Sequence, residues 1–249
     1  MKRQAQTPRG HTLPELLIGL TLSLLIIAAA TSAYGVSKQS WIAMTAADAV
    51  HANARAAMHN LQASAQSAGG AYLEATPGNR VRLTSLEETG HPALGGINGS
   101  KTIESLTLGH WRALDTVDCQ GNSSSTQATI RNDYKLNTSK ELTCKDIDLL
   151  GSTYQALAEG VEDFQVRYAQ TNPLNSTVQW LSADQVTAMS QVVAIEVCLR
   201  MASPLIVNST KPISTNHKGC AGEALVADGR LRRVFRRVIA LRNRDSVMP

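Results

Sequence analysis

The chain has 249 residues, 43% of them hydrophobic, and 24 Lys and Arg against 20 Asp and Glu, for a formal charge of +4. That length holds one sizeable globular domain plus a long helix, not a string of domains. Three of the cations (Lys2, Arg3, Arg9) precede Gly10, which leaves 21 basic against 20 acidic residues, so the net charge does not mark a nucleic-acid binder.

The first predicted element follows at once. Glu15 stands at the head of residues 16–37, a 22-residue apolar run without a charge. About 20 such residues cross the hydrocarbon core of a bilayer as a helix. A carboxylate near the head of the run costs roughly 2.5–3.5 kcal/mol on insertion scales, so it needs an interface, a partner or a function. Pro14 is compatible with a first helical turn, where its missing N–H has no intrahelical acceptor.

The order Gly10, Thr12-Leu13 and Glu15 after a short basic leader resembles the class III signal of type IV prepilins and pseudopilins. His11 departs from the usual Phe at the first mature position, and Pro14 from Ile or Val at the fourth. The resemblance implies cleavage between Gly10 and His11 by a prepilin peptidase, N-methylation of His11, and a role for Glu15 in subunit assembly. Two plainer readings compete. One is a secretory signal peptide cut at small residues such as Ala28-Ala29-Ala30 or Thr31-Ser32-Ala33, the other an uncleaved anchor. Neither needs Glu15.

From Trp41 the apolar residues change spacing. Trp41, Met44, Ala47, Val50, Ala54, Ala57, Met58, Leu61 and Ala65 recur at three- and four-residue intervals, with Asp48, His51, Asn53, Arg55, His59 and Gln62 between them. This predicts an amphipathic helix covering a core. Ser67-Ala68-Gly69-Gly70 supplies its end. The expected division is 1–10 leader, 11–37 transmembrane half of the helix, 38–67 amphipathic half, and 68–249 β-rich head.

Residues 71–153 are poorly patterned. Gly-, Asn- and Ser-rich pieces fall at 90–99 and 121–125, with short strands expected at 80–83 and 103–108. The signal then sharpens. Phe164, Val166 and Tyr168 alternate with Gln165 and Arg167. Val193, Ile195, Val197, Leu199 and Met201 alternate with Glu196, Cys198 and Arg200. Both predict half-buried antiparallel strands. Asp228-Gly229 is a turn signal before a last strand over 231–241.

Glu159-Gly160-Val161-Glu162-Asp163-Phe164-Gln165-Val166-Arg167-Tyr168 resembles the PilW group of large minor pilins. So does Arg232-Arg233-Val234-Phe235-Arg236-Arg237-Val238-Ile239-Ala240-Leu241-Arg242-Asn243. The related J-type pseudopilins of type II secretion share both patterns; the long middle favours PilW.

Cys119, Cys144, Cys198 and Cys220 show no Cys-x-x-Cys or flanking His at zinc spacing, so no metal site is expected. In an exported domain an even count suggests disulfides, and four cysteines permit three connectivities. Cys119–Cys144 with Cys198–Cys220 is favoured, because each closes one loop between neighbouring elements. Each is worth about 3 kcal/mol on the loop-entropy model. Arg230, Arg232, Arg233, Arg236, Arg237, Arg242 and Arg244 form a basic C-terminal cluster. It suits phosphate contacts, but more simply it is a terminal strand with solvated charges that discourage edge pairing.

No nucleophile elbow, phosphate loop or histidine cluster appears, so no catalytic residue, enzyme activity or cofactor is expected. The expected fold is α+β, a type IV pilin fold with a long N-terminal helix on an antiparallel sheet. The expected function is a minor pilin that primes pilus assembly near the tip. Its implied partners are the prepilin peptidase, other minor pilins, the major pilin, a tip adhesin and the inner membrane. It would start as a single-pass inner-membrane protein with a periplasmic head and finish at the cell surface. The alternatives are a J-type pseudopilin and a DNA-binding tip subunit.

Overall fold

The computed structural model describes residues 12–70, 72–76, 80–84, 86, 90–98, 104–112, 116–123, 128–172, 174–175, 177–207, 218–225 and 228–243. Gly10, His11 and Arg244 lie outside them.

The chain opens with α1, Leu13–Ser67, a 55-residue helix. Two compact units divide within it, one ending at Thr45 and the other starting at Ala46. In the first unit no described residue is buried, and the most apolar 18-residue window has a mean hydropathy of 2.2, enough in length and composition to cross a membrane. The hydroxyls there turn back on the helix. Thr21 donates to the Ile18 carbonyl, Ser23 to Leu20, Thr31 to Ile27 and Ala28, and Ser32 to Ala29, each within 3.0 Å. The backbone thus satisfies these donors without water.

In the second unit α1 buries Ala46, Val50, Ala54, Ala57, Met58, Leu61, Ser64 and Ala65. This is the predicted stripe from Val50 to Ala65 with Ser64 added, and it differs at its start, where Ala47 is half-buried. Trp41 and Met44 are 65% and 68% exposed, and burial begins at Ala46. Alanine at four of the eight positions keeps this face thin and lets strands approach the helix axis closely. The helix stops as expected: Gly69 takes φ 79°, and its N–H donates to the Gly109 carbonyl at 2.9 Å.

Among the described residues three antiparallel sheets follow. The first is a hairpin of β1, Tyr72–Thr76, and β2, Arg80–Thr84. The second has five strands in chain order: β3 (Leu94–Ile97), β4 (Ser105–Trp111), β5 (Thr129–Leu136), β6 (Glu141–Asp146) and β7 (Gln155–Glu159). The third contains β8 (Val161–Thr171), β9 (Val178–Leu181), β10 (Val192–Ile206) and β11 (Arg230–Ala240), in the order β11-β10-β8-β9.

The strands expected at 80–83, 161–168, 193–201 and 231–241 are β2, β8, β10 and β11. The strand expected at 103–108 is β4, displaced to Ser105–Trp111. The middle of the chain departs most from expectation, since it builds most of a second sheet. One core cluster joins Val50, Met58 and Leu61 of α1 to Leu94, Leu106, Tyr134 and Leu142 of the five-stranded sheet. It also includes Phe164, Val166, Tyr168, Ile195 and Leu199 of the four-stranded sheet.

A single residue carries the chain between the two larger sheets. β7 ends at Glu159, β8 begins at Val161, and Gly160 between them has φ 74°. A Cβ on Gly160 would meet the Ala202 carbonyl oxygen at 2.6 Å. That carbonyl sits so close because the Gly160 oxygen accepts from Ala202 N–H at 2.7 Å. A left-handed backbone and a close approach therefore coincide where only glycine fits.

Candidate assembly site and the locked head

Glu15 lies in the first turn of α1, and the structure gives its carboxylate a definite partner. Oε2 accepts from the Thr12 N–H at 2.9 Å and from the Thr12 hydroxyl at 3.1 Å. Thr12 precedes the first helical residue, so Thr12-Leu13-Pro14-Glu15 is half of a capping box, in which the third helical residue reaches back to the cap's N–H. The reading of Glu15 as a lone membrane carboxylate missed this, although Thr-x-x-Glu before an apolar run is its sequence signature. Both bonds use one oxygen; a second donor would take Oε1. The two processing residues, Gly10 and His11, fall outside the described residues.

The head is held by two devices. In the five-stranded sheet the first is a disulfide, Cys119–Cys144, with Cα atoms 6.4 Å apart. It ties the β4–β5 loop to β6. Hydrogen bonds reinforce it: Asn60 of α1 donates to the Cys119 carbonyl at 3.2 Å, and Gln120 donates to the Cys144 and Thr153 carbonyls. A buried polar cluster runs beneath. The Tyr134 hydroxyl lies 2.6 Å from Ser64 Oγ and donates to Asn60 Oδ1 at 2.7 Å, while Asn132 reaches Ser64 at 3.3 Å. Burial pushes the Tyr134 phenol above its ordinary range. Helix and sheet are thus registered by neutral hydrogen bonds.

The four-stranded sheet relies on buried charge. Arg232 of β11 is only 7% exposed. Its Nε donates to Glu162 Oε2 at 2.6 Å and one terminal nitrogen to Oε1 at 3.0 Å. Both terminal nitrogens also reach Asp228, at 2.5 and 2.7 Å. The guanidinium fork thus donates four hydrogen bonds to two carboxylates. Burial works to raise the Glu162 pKa, but Arg232 and Lys140 outweigh it and hold the group below its ordinary value. Asp228 is held far below the carboxylate range, chiefly by its Arg232 bonds. Glu162 belongs to the first PilW-like segment and Arg232 to the second, so one ion pair joins the two stretches that carry the resemblance.

The second disulfide, Cys198–Cys220, has Cα atoms 5.8 Å apart and holds a loop against the outer face of β10. Val197 and Leu199 are fully buried on the opposite face. Arg236, opposite Cys198 in register, donates to the Gly219 and Cys220 carbonyls at 3.3 and 2.8 Å and pairs with Glu196 at 3.2 Å. Arg200 pairs with Glu223 of the same loop. Arg237 donates to Gln62 of α1. Of the terminal cluster, Arg232 departs from the simpler sequence reading by being buried, whereas Arg233, Arg236 and Arg237 stay exposed, Arg236 and Arg237 with partners inside the head. No group of three or more His, Cys, Asp or Glu suited to a metal ion occurs among the described residues.

A long N-terminal helix, apolar and exposed in its first half and packed on antiparallel sheets in its second, is the architecture of a type IV pilin-like protein. Residues 127–243 match the model of the family described as Type IV Pilus-assembly protein W, PilW. Over that span, a little under half of its length, the chain is PilW-like. The match starts upstream of Glu159 and takes in β5 to β7 as well as the four-stranded sheet. Among solved structures the chain is similar to a type IV-like pilin from Thermus thermophilus, at 16% identity and a TM-score of 0.41, over 61% of this chain and 84% of that one. Comparison with curated protein sequences gives no match.

Proposed function

We propose that this chain is a minor pilin subunit of a type IV pilus, which joins other minor pilins in a complex that primes assembly near the filament tip. The observation that carries the reading is the union of two features in one chain. The head is PilW-like over residues 127–243, and the helix preceding it begins with Glu15 at the head of a membrane-length apolar run. Pilin-type subunits wait in a membrane and then assemble, and this chain has a segment for each state.

Glu15 is the residue assigned to the transition. Among apolar neighbours its carboxylate is costly unless paired. Its bonds to Thr12 satisfy part of that need within the subunit. The N-terminal amine of a neighbouring subunit would satisfy the rest, drawing a subunit from the membrane and setting helix register. The amine exists only after the cut between Gly10 and His11, so processing and assembly are coupled by charge.

Two measurements test this. The mature N-terminus, read by mass spectrometry, should be His11, N-methylated; a start near Thr31 or Tyr34 would mean a secretory signal instead. The second is recovery in sheared filaments. Glu15→Val is expected to be cleaved and inserted yet absent from filaments. Glu15→Gln keeps an acceptor for Thr12 but loses the charge, and it too should be absent. Wild-type recovery of the Gln variant would reduce Glu15 to a helix cap.

A further inference from the structure

α1 carries a second polar feature within its first unit. Lys38 is the single charged residue between Glu15 and Asp48. Tyr34 lies four residues before it and Trp41 three after. At 100° per residue the three positions fall within about 60° of one another around the helix. Tyr34 is 71% exposed and Trp41 65%. Large aromatic side chains this exposed on a helix are unusual unless something other than water covers them.

The spacing along the helix says what that is. From Leu13 to Tyr34 the helix rises about 32 Å, close to the roughly 30 Å of a bilayer's hydrocarbon core. The Tyr34, Lys38 and Trp41 backbone therefore begins where the far headgroup layer begins. Helical side chains lean toward the N-terminus, so Lys38 and Trp41 reach back toward that layer. Tyrosine and tryptophan suit the layer because each joins an apolar ring to a hydrogen-bonding group. A lysine there places its ammonium among lipid phosphates while its stem covers apolar surface.

We infer that Tyr34, Lys38 and Trp41 form an interfacial anchor for anionic lipid headgroups, which sets the depth of the helix in the bilayer before assembly. The inference rests on the membrane-inserted state of the proposed function. It adds a structural role for three residues outside both the processing site and the head. The anchor holds the helix at one end and Glu15 marks the other, so depth and assembly are controlled about one membrane thickness apart.

Depth-dependent quenching of tryptophan emission tests it on the full-length protein in vesicles of phosphatidylglycerol and phosphatidylcholine brominated at chosen acyl positions. The Trp41 contribution is wild type minus Trp41→Phe, a change at an exposed site that leaves Trp111 and Trp180 in place. Bromines near the headgroup should quench that contribution about twofold more than bromines near the bilayer centre. Lys38→Glu should weaken the shallow quenching. Equal or deeper-weighted quenching, no quenching at all, or indifference to Lys38→Glu would each overturn the anchor. Alkaline carbonate extraction separates the two failures. Protein released by carbonate would contradict the membrane-inserted state itself, whereas retained protein without shallow quenching would contradict only the anchor.

Discussion

The two larger sheets of the head solve one problem by different chemistry. Both must dock on α1 and on each other. The four-stranded sheet does so with three long strands, a hydrophobic face of Phe164, Val166, Ile195, Val197 and Leu199, and a Glu162–Arg232–Asp228 network centred on the buried Arg232. The five-stranded sheet has strands of four to eight residues, a disulfide, and neutral hydrogen bonds from Tyr134 and Asn132 to the helix. The difference teaches where sensitivity lies. A charge network with one member removed leaves a buried ion, whereas a neutral network leaves at most an unpaired dipole.

The sharpest way to break the four-stranded sheet is Arg232→Ala. Glu162 would keep Lys140 at 3.3 Å and Arg200 at 3.6 Å but lose its closest partner while still buried. The expected loss is about 3–5 kcal/mol in chemical denaturation. Arg232→Met with Glu162→Leu should recover most of it, since apolar replacement of a buried pair is often neutral. A loss below that of an ordinary surface substitution would mean the network is not stabilising the sheet.

The passage between the sheets is next. Gly160→Ala places a Cβ against the Ala202 carbonyl in a left-handed backbone. The expected cost is about 2 kcal/mol, read as a lower denaturant midpoint with an unchanged slope. Because Gly160 lies in the first PilW-like segment, a neutral result would show that its glycine is not required by geometry.

The smallest effect concerns Glu104, which precedes β4 and accepts from the Val166 N–H of β8 at 2.7 Å, so one carboxyl bridges the two sheets. Burial, then the bond from Val166 working against it, and the charges of Asp163 and Asp184 bring its pKa from 4.5 to about 7. Between those values the folded head holds a proton that the unfolded chain has released. Stability therefore falls as pH rises through that window, and it is retained below it. Glu104→Gln keeps an acceptor for Val166 without the titration. The variant should match wild type near pH 4.5 and exceed it by about 1–2 kcal/mol at pH 8. Parallel pH profiles for the two proteins would sink the assignment.

The contrast between the sheets also explains what could be read in advance. β8 and β10 are legible because their inward positions are almost all apolar, so the period of two survives in the sequence, and β11 is legible from the Asp228-Gly229 turn before it. β5 has the same period in the structure, with Ile130, Asn132, Tyr134 and Leu136 buried. An inward asparagine hides it, and that asparagine is inward because Cys119 and Ser64 bond to it. Gly95-Gly96 reads as loop but lies in β3, where a Cβ on Gly96 would overlap the Tyr168 hydroxyl of the other sheet. Such residues answer to partners far along the chain.

Local chemistry by itself determined the long helix, its apolar first half, its end at Ser67 and the three long strands, because periodicity and capping act between residues a few positions apart. The position of Glu15 at the head of the apolar run was equally plain. Only the tertiary structure decided that the middle of the chain builds a second sheet, and that Arg232 is buried with Glu162 instead of solvated. It also decided that burial along α1 starts at Ala46 and not at Trp41. These outcomes depend on which surfaces meet, and a charge or glycine has no fixed cost until its partners across the fold are in place.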